Sequence, residues 1–441
     1  MGEKVYIKTF GCQMNERDSE WIIGRLLSEG WELADNPANA DLAIVNTCSV
    51  RKHAEDRAFS LVGRLKKIKN QKPNFKIALI GCSAEAYKEE IFGRFPYVDL
   101  VIGPAKENKF LEFLKEERKI LSVGEEGENK EFIPECDYRR KRFSAFVSIM
   151  EGCDNFCSYC IVPYVRGRER SRPLKEIVNE VKFLVDKGYK EVMLLGQNVN
   201  SYKLDSSSVG SLGRDKNNGF IKLLEEIDKT GIERIRFMTS HPKDASGDLF
   251  RAMRDLEHVC EHLHLPLQSG SDKILKLMNR NYTLDRYLGL VDEYRKILPS
   301  GSLTTDIIVG FPGEEEEDFE ATLNALLKIE FDSAFIFKYS PRPYTSASKL
   351  KDNVPRQEKE RRNNLALAVQ KEISFRQKMI LLGNNLEVLL EEHKNGVTLG
   401  RSRENFTVEV EGKLPRGEVF QIVVDEARIN SLKGKCLKKI S

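Results

Sequence analysis

The chain has 441 residues, 40% hydrophobic and 32% charged, with 71 Lys+Arg against 68 Asp+Glu. That length suits roughly two to four domains with sizeable cores, and the composition excludes a disordered or collagen-like chain. A net charge of +3 excludes a histone-like protein but leaves room for a local basic patch on nucleic acid.

The first segment, 1–122, alternates short apolar runs with amphipathic stretches. Three runs end alike: Val5 to Gly11 leads into Cys12, Leu42 to Thr47 into Cys48, and Ile77 to Gly81 into Cys82. Helical patterns at 18–28 and 53–69 fill the gaps, and successive cysteines lie about one βαβ unit apart. This predicts a doubly wound parallel sheet with all three cysteines just beyond strand carboxyl ends, where open α/β sheets bind ligands. Residues 123–138 are polar and irregular and read as a linker.

A second α/β region spans 139–370. Strands are predicted at 146–150, 191–195, 234–238, 262–265, 304–309 and 334–339. Helices at 174–187, 220–229, 244–256, 284–297 and 315–329 separate them. Six β/α repeats suit a partial barrel better than a closed eightfold one. The stretch 203–218 is rich in Ser, Gly, Asp and Asn and reads as a surface loop. A charged helix follows at 356–378. The last segment, 373–441, changes character: short strands at 386–390, 396–401, 406–410 and 418–424 predict a small antiparallel β-barrel of five or so strands. No apolar run approaches the ~18 residues that span a bilayer, and the N-terminus has no signal-peptide pattern. The chain reads as soluble and cytosolic, so its nine cysteines are ligands, catalysts or core thiols rather than disulfides.

Cys153-x3-Cys157-x2-Cys160 carries the sharpest chemistry. Thiolates bind soft metals, and close spacing on one loop lets three of them share a 4Fe-4S cluster while one iron stays open. The alternative, a structural zinc, needs four closed ligands, and no nearby fourth Cys or His is obvious. Arg166, Arg168, Arg170 and Arg172 alternate just after this loop. In an extended segment they would form one row of guanidiniums, suited to RNA phosphates or to a carboxylate. Cys136, Cys260 and Cys436 have no ligand-spaced partner and read as ordinary thiols.

Cys-x3-Cys-x2-Cys after a barrel's first strand resembles the radical SAM superfamily. Phe10-Gly11-Cys12-Gln13-Met14-Asn15, Val45-Asn46-Thr47-Cys48-Ser49 and Gly81-Cys82 resemble the three-cysteine domain of the methylthiotransferases within it. Met150 to Cys160, Val162-Pro163-Tyr164, Arg166 to Pro173, Gly196-Gln197-Asn198-Val199, Ser240-His241-Pro242-Lys243, His264 to Gly270 and Val309 to Glu314 resemble the radical SAM core of the same enzymes. The C-terminal barrel resembles the family's RNA-binding TRAM domain. Glu85 stands where relatives often carry Gln, and Tyr344 where they often have Gly, at the mouth of the substrate pocket.

The resemblance implies two 4Fe-4S clusters, one on Cys153, Cys157 and Cys160 and one on Cys12, Cys48 and Cys82. S-adenosylmethionine would bind the open iron of the first. Tyr159, Gly196, Gln197, Asn198, Gly310 and Gly313, at strand ends or in the cluster loop, are the candidates to hold that cofactor. Arg401, Arg403, Lys433 and Lys435 in the barrel, together with the arginine row, are the candidates to hold RNA. The implied activity is methylthiolation of isopentenyladenosine (dimethylallyladenosine) next to the anticodon of a tRNA. Flavodoxin or ferredoxin would be the electron donor and the enzyme a monomer off the membrane; the sulfur source is left open. Within the family, threonylcarbamoyladenosine tRNA or a ribosomal-protein aspartate are alternative substrates; Gln13-Met14-Asn15 after Cys12 favours the dimethylallyladenosine type. An alternative of another class is a non-catalytic iron–sulfur or zinc RNA-binding protein.

Overall fold

The computed structural model describes residues 2–124, 130–205 and 219–440. Most of the expected loop at 203–218, and residues 125–129 of the linker, lie outside the described residues.

The N-terminal segment forms a six-stranded, all-parallel sheet. Its strands are β1 (Lys4–Phe10), β2 (Glu32–Leu33), β3 (Leu42–Thr47), β4 (Lys76–Gly81), β5 (Leu100–Ile102) and β6 (Ile120–Ser122), in the order β2-β1-β3-β4-β5-β6. β3 is buried at every residue, which is why it reads as a continuous apolar run rather than an alternating one. Helix Gln13–Ser28 covers one face through Trp21, Ile22 and Leu26, and helix Lys52–Gln71 covers the other through Phe59, Val62 and Leu65. The sheet is therefore doubly wound.

The central segment is a six-stranded partial barrel made of two parallel three-stranded sheets. β7 (Ser144–Ser148), β10 (Glu191–Leu195) and β11 (Arg234–Phe237) form one. β12 (His262–His264), β13 (Ser302–Val309) and β14 (Ser333–Lys338) form the other. A bridge between Ile235 and Val259 joins the two halves. A two-stranded ribbon, β8 (Met150–Glu151) with β9 (Arg170–Ser171), leaves the carboxyl end of β7. Cys153, Cys157 and Cys160 sit on the excursion between its strands.

The C-terminal strands β15 (Asn385–Lys394), β16 (Val397–Ser402), β17 (Thr407–Glu411), β18 (Val419–Ala427) and β19 (Leu432–Lys439) close a small barrel in the order β15-β16-β17-β19-β18. It docks at the amino ends of the central strands, away from the cysteines. Arg234 and Arg236, at the start of β11 and almost wholly buried, reach into it. Arg234 pairs with Glu387 at 2.8 Å and donates to the Arg401 carbonyl. Arg236 donates to the carbonyls of Ser402 and Arg403 and pairs with Glu191 at 2.6 Å.

The linker has no regular strand or long helix, but its described part is not free. Trp21 Nε1 donates to the Glu131 carbonyl at 3.0 Å, and Lys130 is buried between Asp18 and Glu107. A Cβ on Gly24 would meet the Cys136 carbonyl oxygen at 1.8 Å, so the end of the linker lies flat on helix Gln13–Ser28.

Candidate functional site

The amino-terminal trio sits where β1, β3 and β4 end, because all three strands run in parallel and stop level. Cys12 is exposed at the start of helix Gln13–Ser28, whereas Cys48 and Cys82 are buried. Buried amides and hydroxyls lock the three strand ends together. Asn15 Nδ2 donates to Asn46 Oδ1 (3.0 Å) and to the Thr47 carbonyl. Asn46 Nδ2 returns to the Asn15 carbonyl (2.9 Å), and Thr47 Oγ1 donates to the Ile80 carbonyl (2.7 Å). Two glycines make room: a Cβ on Gly11 would lie 3.0 Å from Cys48 Cβ, and Gly81 adopts φ +87° with Asn46 Oδ1 pressed against it. A hydrogen bond from the Cys48 thiol, aided by the positive charge of Arg166, holds Cys12 at about 6, below its ordinary 9.0. The same contact and burial push Cys48 up, and burial raises Cys82.

The second trio lies on one loop pinned from several sides. Cys153 N donates to the Gly167 carbonyl, Ser158 N to Met278 and Asn279 Nδ2 to Phe156, and Ala347 N donates to the Ser158 carbonyl. Gly152 needs φ +79°, since a Cβ there would meet the Arg168 carbonyl at 2.0 Å. Burial pushes Cys153 to about 11 and Cys160 to about 12. Thiols so placed favour the thiolate only when a cation compensates, which suits metal ligation. Arg280, 7% exposed, donates to Cys157 Sγ at 3.4 Å and to the Pro266 carbonyl at 2.9 Å.

Among the described residues, no three His, Cys, Asp or Glu side chains converge on a single-ion site. Each trio is an all-thiolate donor set, and thiolates are the protein ligands of iron–sulfur clusters. The two trios are neighbours: Ile161 and Val165, just after Cys160, pack directly on Cys82 and Ala86. Arg166 crosses the same seam, its guanidinium 2.7 Å from Asp18 Oδ2 in the amino-terminal domain. Met14 packs against Met193 and Leu195 at the end of β10.

The carboxyl ends of the central strands carry buried polar atoms without a hydrogen-bond partner: Gln197 Oε1, Asn198 Oδ1, Ser240 Oγ and Gln268 Oε1. Such atoms are costly unless a ligand or solvent satisfies them. They follow β10, β11 and β12 and fit a polar cofactor at the barrel mouth. Gly196 abuts Met150, with only 2.5 Å from an added Cβ to Met150 Cγ. Gly310 N donates to Glu314 Oε1 (2.8 Å) and Gly313 N to Asn353 Oδ1 (2.7 Å), so both amides are already engaged within the chain. Tyr159 packs its ring among Ile274, Met278 and Phe311.

The expected row of four guanidiniums is not formed. Arg166 ends the short helix Val162–Val165 and Gly167 turns the chain at φ +75°, so only 170–171 is extended. Arg166 and Arg172 are buried and paired with Asp18 and Glu180, and Arg170 lies 3.7 Å from Glu151. Arg168 remains outside, its side chain 68% exposed. In the small barrel, Arg403 is paired with Glu261 of the central domain at 2.9 Å, a docking contact rather than an open cation. Arg401 donates to Asn405 and, with Lys371, Lys378, Phe335 and Phe406, lines a cavity of about 610 Å³ between the central strands and the small barrel. Lys433 pairs with Glu411 (2.6 Å), and Lys435 is exposed 3.6 Å from Asp425.

Residues 147–326 match the model of the radical SAM superfamily, and residues 4–103 that of uncharacterized protein family UPF0004. A tRNA-2-methylthio-N(6)-dimethylallyladenosine synthase of Thermodesulfovibrio yellowstonii is 44% identical over 98% of both chains. Enzymes of that name from Caldicellulosiruptor saccharolyticus (46%, over 92% of this chain and 86% of the relative) and Clostridium botulinum (45%, 99% and 96%) agree. The chain belongs to the tRNA-2-methylthio-N(6)-dimethylallyladenosine synthase family. Membership of the radical SAM superfamily implies a 4Fe-4S cluster and S-adenosylmethionine. The fold has wider company. The radical S-adenosylmethionine methyltransferase TsrM of Kitasatospora setae aligns with TM-score 0.55 at 14% identity, over 79% of this chain and 75% of that one. The cobalamin-dependent radical enzyme OxsB aligns at 0.50 and 12%, over 84% and 56%. At such identities only architecture is shared. Among the described residues, no helix is long and apolar enough to cross a membrane.

Proposed function

We propose that this chain methylthiolates the adenine ring of dimethylallyladenosine next to the anticodon of tRNA, using two iron–sulfur clusters. The observation that carries the reading is the packing of Ile161 and Val165, which follow the Cys153–Cys160 loop, on Cys82 of the amino-terminal trio. The target C–H is not acidic, so positioned acids and bases would not suffice. Bound at Cys153, Cys157 and Cys160, a cluster with S-adenosylmethionine supplies one-electron cleavage and hydrogen abstraction, while a cluster at Cys12, Cys48 and Cys82 supplies the sulfur. The chain's own part is placement. Arg280 sets a buried guanidinium beside Cys157, donating to its Sγ at 3.4 Å. Arg166 sets a positive charge beside Cys12 and Cys82 that favours their thiolates, while tying the two domains through Asp18. Gln197, Asn198, Ser240 and Gln268 offer unsatisfied polar atoms to the cofactor. Electrons would come from a flavodoxin or ferredoxin, with the enzyme a cytoplasmic monomer.

Nucleoside mass spectrometry of tRNA from a deletion strain tests the substrate. The methylthio mark on isopentenyladenosine should vanish and its unthiolated precursor accumulate. A missing mark on threonylcarbamoyladenosine instead would redirect the assignment.

The small barrel's exposed lysines, Lys435, Lys438 and Lys439 on β19, are proposed to hold tRNA phosphates. Deleting the barrel would strip Arg234 and Arg236 of their barrel partners and uncover the docking face, so charge neutralisation is the cleaner test. Replacing the three lysines by glutamine should weaken tRNA binding. The slope of log affinity against log salt should become shallower by about 0.9 for each duplex phosphate that the variant no longer neutralises. An unchanged slope would remove these lysines from the interface.

A further inference from the structure

Three aromatic rings form a ladder beside both cysteine trios. Phe156, inside the Cys153–Cys160 loop, meets Tyr164 edge-on at 5.9 Å between centroids, and Tyr164 lies 6.4 Å from Tyr344. The Arg168 guanidinium sits over Phe156 at 4.7 Å, 3.4 Å from the half-exposed Asp154, with most of its side chain open to solvent. At the other end, the Tyr344 hydroxyl donates to the Ala86 carbonyl at 2.9 Å, at the end of the helix that Cys82 begins. Tyr164 packs on the same Cys82 cluster. The ladder thus runs from one trio to the other.

Two features set it apart from core packing. Tyr344 is 50% exposed, although it is a large aromatic residue. Both of its strained members, Tyr344 at φ +67° and Phe156 at φ +45°, hold a backbone conformation that glycine adopts freely and bulky side chains resist. The fold keeps rings where a glycine would relieve strain. A half-exposed ring at one end of an aromatic ladder and an exposed arginine at the other match how proteins hold single-stranded nucleic acid: faces for bases and a cation for the backbone.

We propose that Tyr344, backed by Tyr164 and Phe156, is a stacking platform for an unstacked nucleobase flanking the target adenosine, with Arg168, at the far end of the ladder, on a phosphate further along the same strand. This rests on the tRNA reading above, and it locates where the anticodon loop opens to admit the adenine between the trios.

The test uses the cluster-loaded protein and an anticodon stem-loop RNA carrying 2-aminopurine on either side of the target adenosine. Tyr344→Gly should weaken binding by about five- to hundredfold, the range for removing one base stack. The salt dependence should stay unchanged, and the 2-aminopurine should lose its bound-state quenching. Its thermal stability should equal or exceed that of the wild type, because the strain is gone; should it fail to fold, Tyr344→Leu removes the π-face while keeping bulk and should show the same weakening of binding. Tyr344→Phe should bind within about twofold of wild type, since the stack survives. Arg168→Gln should make the salt slope shallower by ~0.7, one single-strand phosphate. Wild-type binding and quenching in Tyr344→Gly and Tyr344→Leu would overturn the platform alone. Absence of stem-loop binding by the wild-type protein would overturn the tRNA reading and the platform with it. Intact RNA affinity with slowed reduction by flavodoxin would make the patch a protein-docking site and also overturn the proposal.

Discussion

Cys48→Ala is expected to abolish methylthiolation while reductive cleavage of S-adenosylmethionine continues. Cys48 belongs to the trio held by the ends of β1, β3 and β4. The backbone contacts that pin the Cys153–Cys160 loop come from Gly167, Met278, Asn279 and Ala347, none of them in the amino-terminal domain. Losing one buried sulfur costs little beside a typical stability of ~5–15 kcal/mol, so the fold should persist. Cys157→Ala, by contrast, removes a ligand from the cofactor-binding trio and should end cleavage and thiolation together. Iron content should fall to about half in either variant, because in the proposed scheme each trio would hold one cluster. Iron analysis, deoxyadenosine release and product mass spectrometry on both proteins check this. A Cys48→Ala enzyme that still thiolates would sink the two-cluster scheme.

The second large effect lies outside the cysteines, at Glu180. This carboxylate on helix Leu174–Asp186 is fully buried and receives three guanidiniums: Arg139 at 2.6 Å, Arg172 at 2.8 Å and Arg17 at 3.4 Å. Arg17 belongs to the amino-terminal domain, so Glu180 helps fasten that domain to the barrel. Burial disfavours its charge, yet Arg172, Arg139 and Arg17 together bring it down to about 2 from an ordinary 4.5. Glu180→Leu would leave buried, unpaired cations, a change that costs ~3–5 kcal/mol in comparable networks. At ~2–4 °C per kcal/mol, a fall in Tm of about 10 °C is expected. The pH dependence has a definite sign. A carboxyl depressed in the folded state stabilises above its unfolded value and loses that contribution as pH falls from about 4.5 towards 2. The Tm gap between wild type and variant should therefore be full at neutral pH and shrink over that acid window. A constant gap would assign the loss to packing instead.

Much of the fold was legible. β10 and helix Leu284–Ile297 fall where periodicity put them, and the three cysteine-terminated strands are β1, β3 and β4. Parallel strands between two helical layers leave an unmistakable apolar run. β19 was not legible as a strand: Lys433, Lys435, Lys438 and Lys439 break the apolar alternation, because much of its length faces solvent. The arginines of 166–172 depart from the expected row for a different reason. Alternation at 166–172 suggests one exposed row only if the chain is extended, and Gly167 prevents that. Arg403 faces Glu261, 142 residues upstream, and no local pattern announces such a partner. Arg280, Asp18 and Glu180 escaped notice likewise, since each gains its role only when distant segments meet.

The two trios also differ in what must happen before each can be filled. Cys153, Cys157 and Cys160 lie within one short loop, so a nascent chain presents all three sulfurs together soon after that loop is made. Cys12, Cys48 and Cys82 come from three strand ends whose spacing exists only once the sheet has formed. The amino-terminal pocket is a product of folding, whereas the Cys153–Cys160 loop gathers its sulfurs by local sequence and is then fixed by Met278, Asn279 and Ala347. In a cell short of iron or exposed to oxygen, maturation would therefore stall unequally: chains with one loaded loop and an empty sheet edge would accumulate, able to spend S-adenosylmethionine without making product.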